Sequence, residues 1–181
     1  MQDTKAYGTP VPGWKPPAVP GAPLLRGHFM QLERLEPEAH AHALFAANAE
    51  DVGAWDYLPY GPFSSEAGFI RWLSEMAVQA DPFFYAIRCL DSGQVGGVAA
   101  YLRITPQAGT IEIGHINLAA RLQRTRAASE ALMAMIGWAF EAGYRRVEWK
   151  CDALNMPSRH AAQRLGLSFE GVFRQAAVIK G

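Results

Sequence analysis

A chain of 181 residues suits one compact domain, and with half its residues hydrophobic and 19% charged it has the balance of an ordinary globular protein. Lys+Arg and Asp+Glu cancel at 17 each, which excludes a global field for nucleic acid or an anionic membrane; any anion site must be a local basic cluster. No apolar run approaches the ~20 residues that cross a bilayer, no signal-peptide core opens the chain and no N-x-S/T sequon occurs, so the expected location is the cytoplasm.

Residues 1–24 stand apart as an arm in which Pro10, Pro12, Pro16, Pro17, Pro20 and Pro23 alternate with Gly8, Gly13 and Gly21, a composition that blocks helix and central strand. The arm reads as extended, docked by Trp14, with a Pro-rich ligand as the less favoured alternative. The domain proper spans 25–181. Phe29, Leu32 and Leu35 give a strand signal, Pro37 stands at a helix start, and Ala39–Asn48 are helix formers. Asp51–Phe63 has too much Gly, Pro and aromatic content for a regular element, and Ser64 and Ser65 can cap the helix carrying Phe69, Ile70, Leu73 and Met76.

The period then changes to two. Phe83–Leu90 and Val95–Ile104 read as antiparallel strands across the turn Asp91-Ser92-Gly93, and Pro106 and Gly109 mark a second turn before Thr110–Leu118. Residues 126–141 are helical up to Gly143, Val147, Trp149 and Cys151 alternate on a strand, Pro157–Leu165 is helical up to Gly166, and Phe169 begins a last strand. The fold class is α+β, a mixed sheet combining an antiparallel meander with a βαβ crossover, and helices on both faces.

Within 110–118, Ile111 and Ile113 are apolar at odd positions but Ile116 and Leu118 at even ones. A strict two-residue period forbids this, so the spacing predicts a bulge near Gly114, or a strand that ends there. The strand feeds Arg121-Leu122-Gln123-Arg124-Thr125-Arg126-Ala127-Ala128-Ser129 into a helix. First-turn amides lack intrahelical acceptors and bind phosphate well; Ala127, Ala128 and Ser129 are small enough for close approach, and Arg121, Arg124 and Arg126 add charge. A solvated basic loop is the competing reading. Cys89 and Cys151 make no disulfide framework, His40 and His42 point to different faces of a helix, and no Cys/His set has metal-ligand spacing, so no metal is expected.

The stretch from Ile111 to Leu132 (IEIGHINL–AARLQRTRAASEAL) resembles the strand and pyrophosphate loop of the GNAT superfamily, whose loop reads Gln/Arg-x-x-Gly-x-Gly/Ala; Gln123 and Ala128 match its ends. RRVEWKCDALNMPSRHAAQRLGLSFEGVF resembles the second GNAT half, and within the superfamily the ribosomal-protein (RimJ/RimL-like) branch is the most similar. Two features depart from the pattern. Arg126 stands at the central Gly, and the chain ends at Lys180-Gly181 before a further strand, which implies a truncated terminus or a neighbour, such as a homodimer partner, completing the sheet.

The resemblance implies a GNAT fold with a splayed strand. The amides of Ile116, Asn117 and Leu118 would hold the pantetheine and polarise the acetyl carbonyl, Gln123–Ser129 would take the pyrophosphate of acetyl-CoA, and Asn155 would bind the pantetheine arm. Ser158 matches the position that protonates the leaving thiolate in the RimL-like branch; a helix-start hydroxyl is its alternative. Amine attack needs a base, for which Glu112 on the bulged strand is the first candidate and His115 the second. Trp55, Tyr57 and Tyr60 lie in the loop expected on the acceptor side, Trp55 more as a core residue and the two tyrosines more as exposed walls. The implied activity is transfer of acetyl to a primary amine of a protein N-terminus or small molecule. A non-catalytic acyl-CoA-binding module is the alternative.

Overall fold

The structure, a computed structural model, describes residues 8–180. One sheet runs in chain order: β1 (Leu24–Arg26), β2 (Met30–Arg34), β3 (Phe83–Cys89), β4 (Val95–Thr105), β5 (Thr110–Leu118) and β6 (Arg146–Glu148). Every neighbouring pair is antiparallel except β5 and β6, the parallel pair closed by the crossover helix α3 (Arg126–Glu141). A parallel pair needs such a crossover, because a hairpin cannot reverse the chain twice.

The period-two alternation of β3 sorts the core into two layers. Tyr85 and Ile87 face α3 with Leu32, Ile111, Ile113, Leu132 and Met135. Phe84 and Ala86 face α1 (Pro37–Asn48) and α2 (Glu66–Ala77), joining Leu44, Phe69 and Leu73. Pro37 opens α1, and Ser65 caps α2 by accepting from the Gly68 amide, as the sequence predicts. His40 is buried against Glu33, whereas His42 on the opposite side is exposed against Glu66.

The arm is extended and packed. Pro17 and Pro20 are buried, the Trp14 indole donates to the Gln107 carbonyl at 3.2 Å, and Tyr85 Oη donates to the Ala22 carbonyl at 2.8 Å. Trp14 rests on Gly109, where φ is +68° and a Cβ would come within 2.5 Å of the indole. Its last residue joins β1, a strand absent from the sequence reading, which pairs Leu24–Arg26 with β2.

The last predicted strand is not formed. After α4 (Met156–Arg164), residues 167–180 have no regular structure, and Phe169, Val172, Phe173 and Val178 are exposed. The physical reason is the edge they meet: β6 is three residues long and is joined to this segment by the Arg146–Glu170 ion pair, not by a ladder. No strand edge therefore exists at 169–178 to require a partner. Among the described residues no helix is long and apolar enough to cross a membrane, and no group of three or more His, Cys, Asp or Glu could hold a metal ion. Cys89 and Cys151 are both free.

Candidate active site

The anomaly in the β5 pattern is a bulge. Val98 pairs with Asn117 and Ala100 with Gly114, so two steps along β4 span three along β5. The extra residue flips the alternation and carries Glu112 and Asn117 to one face, with Ile113 and Leu118 on the other. The bulge lies near Gly114 as the spacing predicts, and its left-handed residue is His115, at φ +50°. Gly114 is needed for space instead, since a Cβ there would lie 3.0 Å from the Leu102 side chain.

β5 and β6 pair only from Thr110↔Arg146 to Glu112↔Glu148. Beyond that point they diverge, and Ile113–Leu118 have no strand partner on the β6 side. Asn117 is 1% exposed, and neither side-chain amide atom bonds to a described protein group.

The splayed strand leads into the loop before α3. Gln123 Nε2 donates to the Leu118 carbonyl at 2.9 Å and ties the loop back to the strand end. Thr125 is the N-cap, its hydroxyl accepting from the Ala128 amide at 3.1 Å, and Arg124 turns the chain at φ +60°. The amides of Arg124, Thr125, Arg126 and Ala127 have no acceptor among the described residues. Four consecutive free amides at the positive end of a helix dipole form a concavity for phosphate oxygens. The methyl groups of Ala127 and Ala128 are buried in the α3-side core, where larger side chains would not fit without repacking. Arg121 is held by Glu50 and Gln94, while Arg124 and Arg126 have no carboxylate within ion-pair distance among the described residues.

On the other side of the divergence, Asn155 caps α4 by accepting from the Ser158 amide at 3.1 Å, which occupies its carbonyl oxygen and leaves its NH2. The Trp149 indole donates to Ser158 Oγ at 2.9 Å.

Glu112, 2% exposed, is closed in by cations. Arg103 grips both carboxylate oxygens, Nε to Oε2 at 2.6 Å, and Lys150 Nζ donates to Oε2 at 2.6 Å. Arg103 sits at a second irregularity, with φ +47°, and the Asp81 carboxylate accepts from the amides of Arg103 and Ile104, both at 2.9 Å. The Glu112 carboxylate raises the Arg103 pKa above the usual guanidinium value. Burial opposes charge on Lys150, but the carboxylates of Glu112 and Glu148 outweigh it and raise its pKa.

His115 stacks on Tyr60, ring centroids 5.6 Å apart at 19°, and its Nδ1 lies 3.1 Å from Tyr60 Oη. Burial first, then the Arg103 charge, push the imidazole pKa down, and burial pushes the Tyr60 phenol up. Trp55 is buried in the α1–α2 core, Tyr57 is exposed with its hydroxyl on the Leu154 carbonyl at 3.2 Å, and Tyr60 is half-buried rather than exposed because Trp72 and His115 cover its ring.

The sequence reading missed Arg103, Lys150 and Trp149 as site residues. Glu148 and Lys150 share a face by period two and lie beside Glu112, so Lys150 was findable; the left-handed turn at Arg103 leaves no composition signal.

A free-amide loop beside a splayed parallel pair is the arrangement expected of a CoA-binding fold, and residues 30–168 match the family described as Acetyltransferase (GNAT) domain. The chain belongs to the GNAT superfamily. It is 42% identical, with a TM-score of 0.90, to a probable acetyltransferase of the GNAT family from Chromobacterium violaceum ATCC 12472, over 97% of this chain and 89% of that one. It is 38% identical, with a TM-score of 0.92, to a GCN5-related N-acetyltransferase from Brucella melitensis, over 94% of this chain and 79% of that one. RimL, a ribosomal L7/L12 alpha-N-protein acetyltransferase, shares the fold at a TM-score of 0.73, with 21% identity over 96% of this chain and 92% of that one. The relation to the RimL-like branch is therefore distant, one of fold. No curated protein matches the sequence. As a GNAT domain the chain is an acetyl-CoA-dependent acyltransferase, with acetyl-CoA as co-substrate.

Proposed function

We propose that this GNAT enzyme acetylates a primary amine, either a protein N-terminus or a small molecule, by direct attack on bound acetyl-CoA. The observation that carries the reading is the run of four free amides at Arg124–Ala127 beside the unpartnered segment Ile113–Leu118. The amides take the pyrophosphate, with Arg124 and Arg126 adding charge and Gln123 through Ser129 shaping the loop. The pantetheine lies in the divergence, bonded to the backbone of Ile116, Asn117 and Leu118 and to the Asn155 side-chain NH2. Backbone amides there stabilise the oxyanion that grows as the amine attacks. Ser158 protonates the departing thiolate.

His115 is the base. Glu112 is 2% exposed and both its carboxylate oxygens already accept from Arg103 or Lys150, so neither faces an incoming amine; its role in this reading is to anchor Arg103 and Lys150. A half-buried imidazole held neutral by its surroundings has the charge state a base needs at neutral pH. Tyr57 and Tyr60 flank the acceptor side, and Trp55 supports them from the core. One property of MccE bears on the donor: this acetyltransferase, 19% identical with a TM-score of 0.75, has been crystallised with acetyl-CoA and AMP.

Incubation with acetyl-CoA and a panel of peptides and small amines, read by mass shift of the amine, tests the reading. Binding of acetyl-CoA without acetylation of any amine would favour the non-catalytic module.

A further inference from the structure

We propose that Tyr60 is a positioning residue for His115: its phenol oxygen accepts from Nδ1–H and so leaves Nε2 as the lone-pair nitrogen that takes the proton of the amine. The inference rests on the reading of His115 as the base, and it adds a tautomer and the residue that sets it.

A neutral imidazole carries one proton, and the nitrogen that holds it cannot accept another. His115 Nδ1 lies 3.1 Å from Tyr60 Oη, and Nε2 bonds to no described residue. Were the phenol the donor, Nδ1 would be occupied as an acceptor and Nε2 would carry the hydrogen, and neither nitrogen could act. With Nδ1–H as donor the bond persists when Nε2 is protonated, so the ring keeps its place through the proton transfer. In that step one N–H bond of the substrate ammonium breaks, an Nε2–H bond forms, and the positive charge passes to the imidazolium.

The surroundings leave the ring little freedom. The left-handed backbone at His115 is fixed by the bulge, Tyr60 covers one side of the ring, and Phe84 lies 5.3 Å away, centroid to centroid. Tyr60 is itself clamped by Trp72 at 4.5 Å and Trp55 at 6.0 Å. The charged groups facing His115 are Arg103 on β4, Glu112 on β5 and Asp81 in the loop before β3; Arg103 opposes the imidazolium, whereas Glu112 and Asp81 favour it. Burial holds the phenol of Tyr60 neutral, so it does not become a competing anion.

Nitrogen-15 NMR of the histidine rings in the free enzyme tests this, with His115→Gln identifying the signal. The expected wild-type state at neutral pH is Nδ1 protonated and Nε2 bare. Tyr60→Phe keeps the stacked ring but removes the acceptor, so His115 should move toward the Nε2–H tautomer. Its pKa should fall by roughly half to one pH unit, because the imidazolium loses a hydrogen-bond partner. Turnover of acetyl-CoA with the primary-amine panel should drop on the order of 5–10-fold in Tyr60→Phe, with acetyl-CoA affinity unchanged. A wild-type His115 protonated at Nε2, or a tautomer and pKa unmoved in Tyr60→Phe, overturns the role of Tyr60. Full turnover in His115→Gln overturns the base reading itself, whatever the tautomer.

Discussion

Trp149 Nε1 donates to Ser158 Oγ at 2.9 Å, and Asn155 Oδ1 accepts from the Ser158 amide at 3.1 Å, so the serine is held at both its backbone and its side chain. A hydroxyl that accepts from an indole still has its own proton to give. If that proton goes to the thiolate of CoA, Ser158→Ala should lower kcat by ~10²–10⁴-fold, the usual worth of a proton-transfer group. Acetyl-CoA affinity, measured by calorimetry, should stay within a few-fold, the signature of an interaction made in the transition state. Full kcat would reduce Ser158 to a helix-start hydroxyl.

Glu112 gives the opposite expectation. Glu112→Gln leaves Arg103 and Lys150 facing a neutral amide, but both cations are partly exposed and can recruit water. The loss of stability should therefore be about 1–2 kcal/mol, below the ~3–5 kcal/mol of a fully buried broken pair. The acidic limb of the pH–rate profile should persist in this variant, because the base is elsewhere. Loss of that limb in Glu112→Gln would return the base to the carboxylate.

The loop prediction separates charge from packing. Acetyl-CoA at 100 times its Kd should stabilise the fold by ~2.7 kcal/mol, seen as a raised melting temperature. Reversing Arg124 and Arg126 to Glu should weaken that shift at fixed ligand concentration and leave the melting temperature without ligand nearly unchanged, since both side chains are exposed. Substituting Ala128 is a poorer test, because its methyl group lies in the core. An undiminished shift in the double variant would place the phosphates elsewhere.

Much of this was legible in the residues. The change of apolar parity between Ile113 and Ile116 located the bulge to within a residue, because a one-residue slip moves side chains to the other face. The positive φ falls on His115, and composition does not say which residue of a bulge, if any, takes the left-handed conformation. The helix after Ser65 and the turn at Asp91-Ser92-Gly93 were written in cap and turn chemistry. The strand expected from Phe169 is absent because an apolar aromatic residue suits a strand by type, whereas a strand also needs a paired edge, a non-local fact. Of the two cations on Glu112 only Lys150 is legible, by its period-two placement after Glu148; Arg103 reaches the carboxylate from a left-handed turn at the end of β4 that no sequence pattern marks.

A stability prediction follows from Glu33, which holds both Arg88 and His40. The Arg88 guanidinium is the main cause that lowers its carboxyl from 4.5 to about 2; burial opposes this and the His40 bond assists it. A depressed pKa means stability present above the unfolded value and lost as pH falls through the folded one. At pH 7 the contribution is on the order of 3 kcal/mol. Glu33→Gln should therefore be less stable by about that amount in urea unfolding at pH 7, and the gap should close between pH 4.5 and about 2. A gap that stays constant with pH would assign the loss to packing.

The central claim is that acetyl leaves acetyl-CoA for an amine held beside the splayed strand. The most direct measurement couples release of free CoA thiol to the mass of the acceptor, across a panel of peptide N-termini and small primary amines. The account predicts at least one acceptor that gains one acetyl group for each CoA released, with the rate reduced in both Ser158→Ala and His115→Gln. Tight acetyl-CoA binding with no thiol release above the rate of spontaneous hydrolysis, across the whole panel, would contradict it.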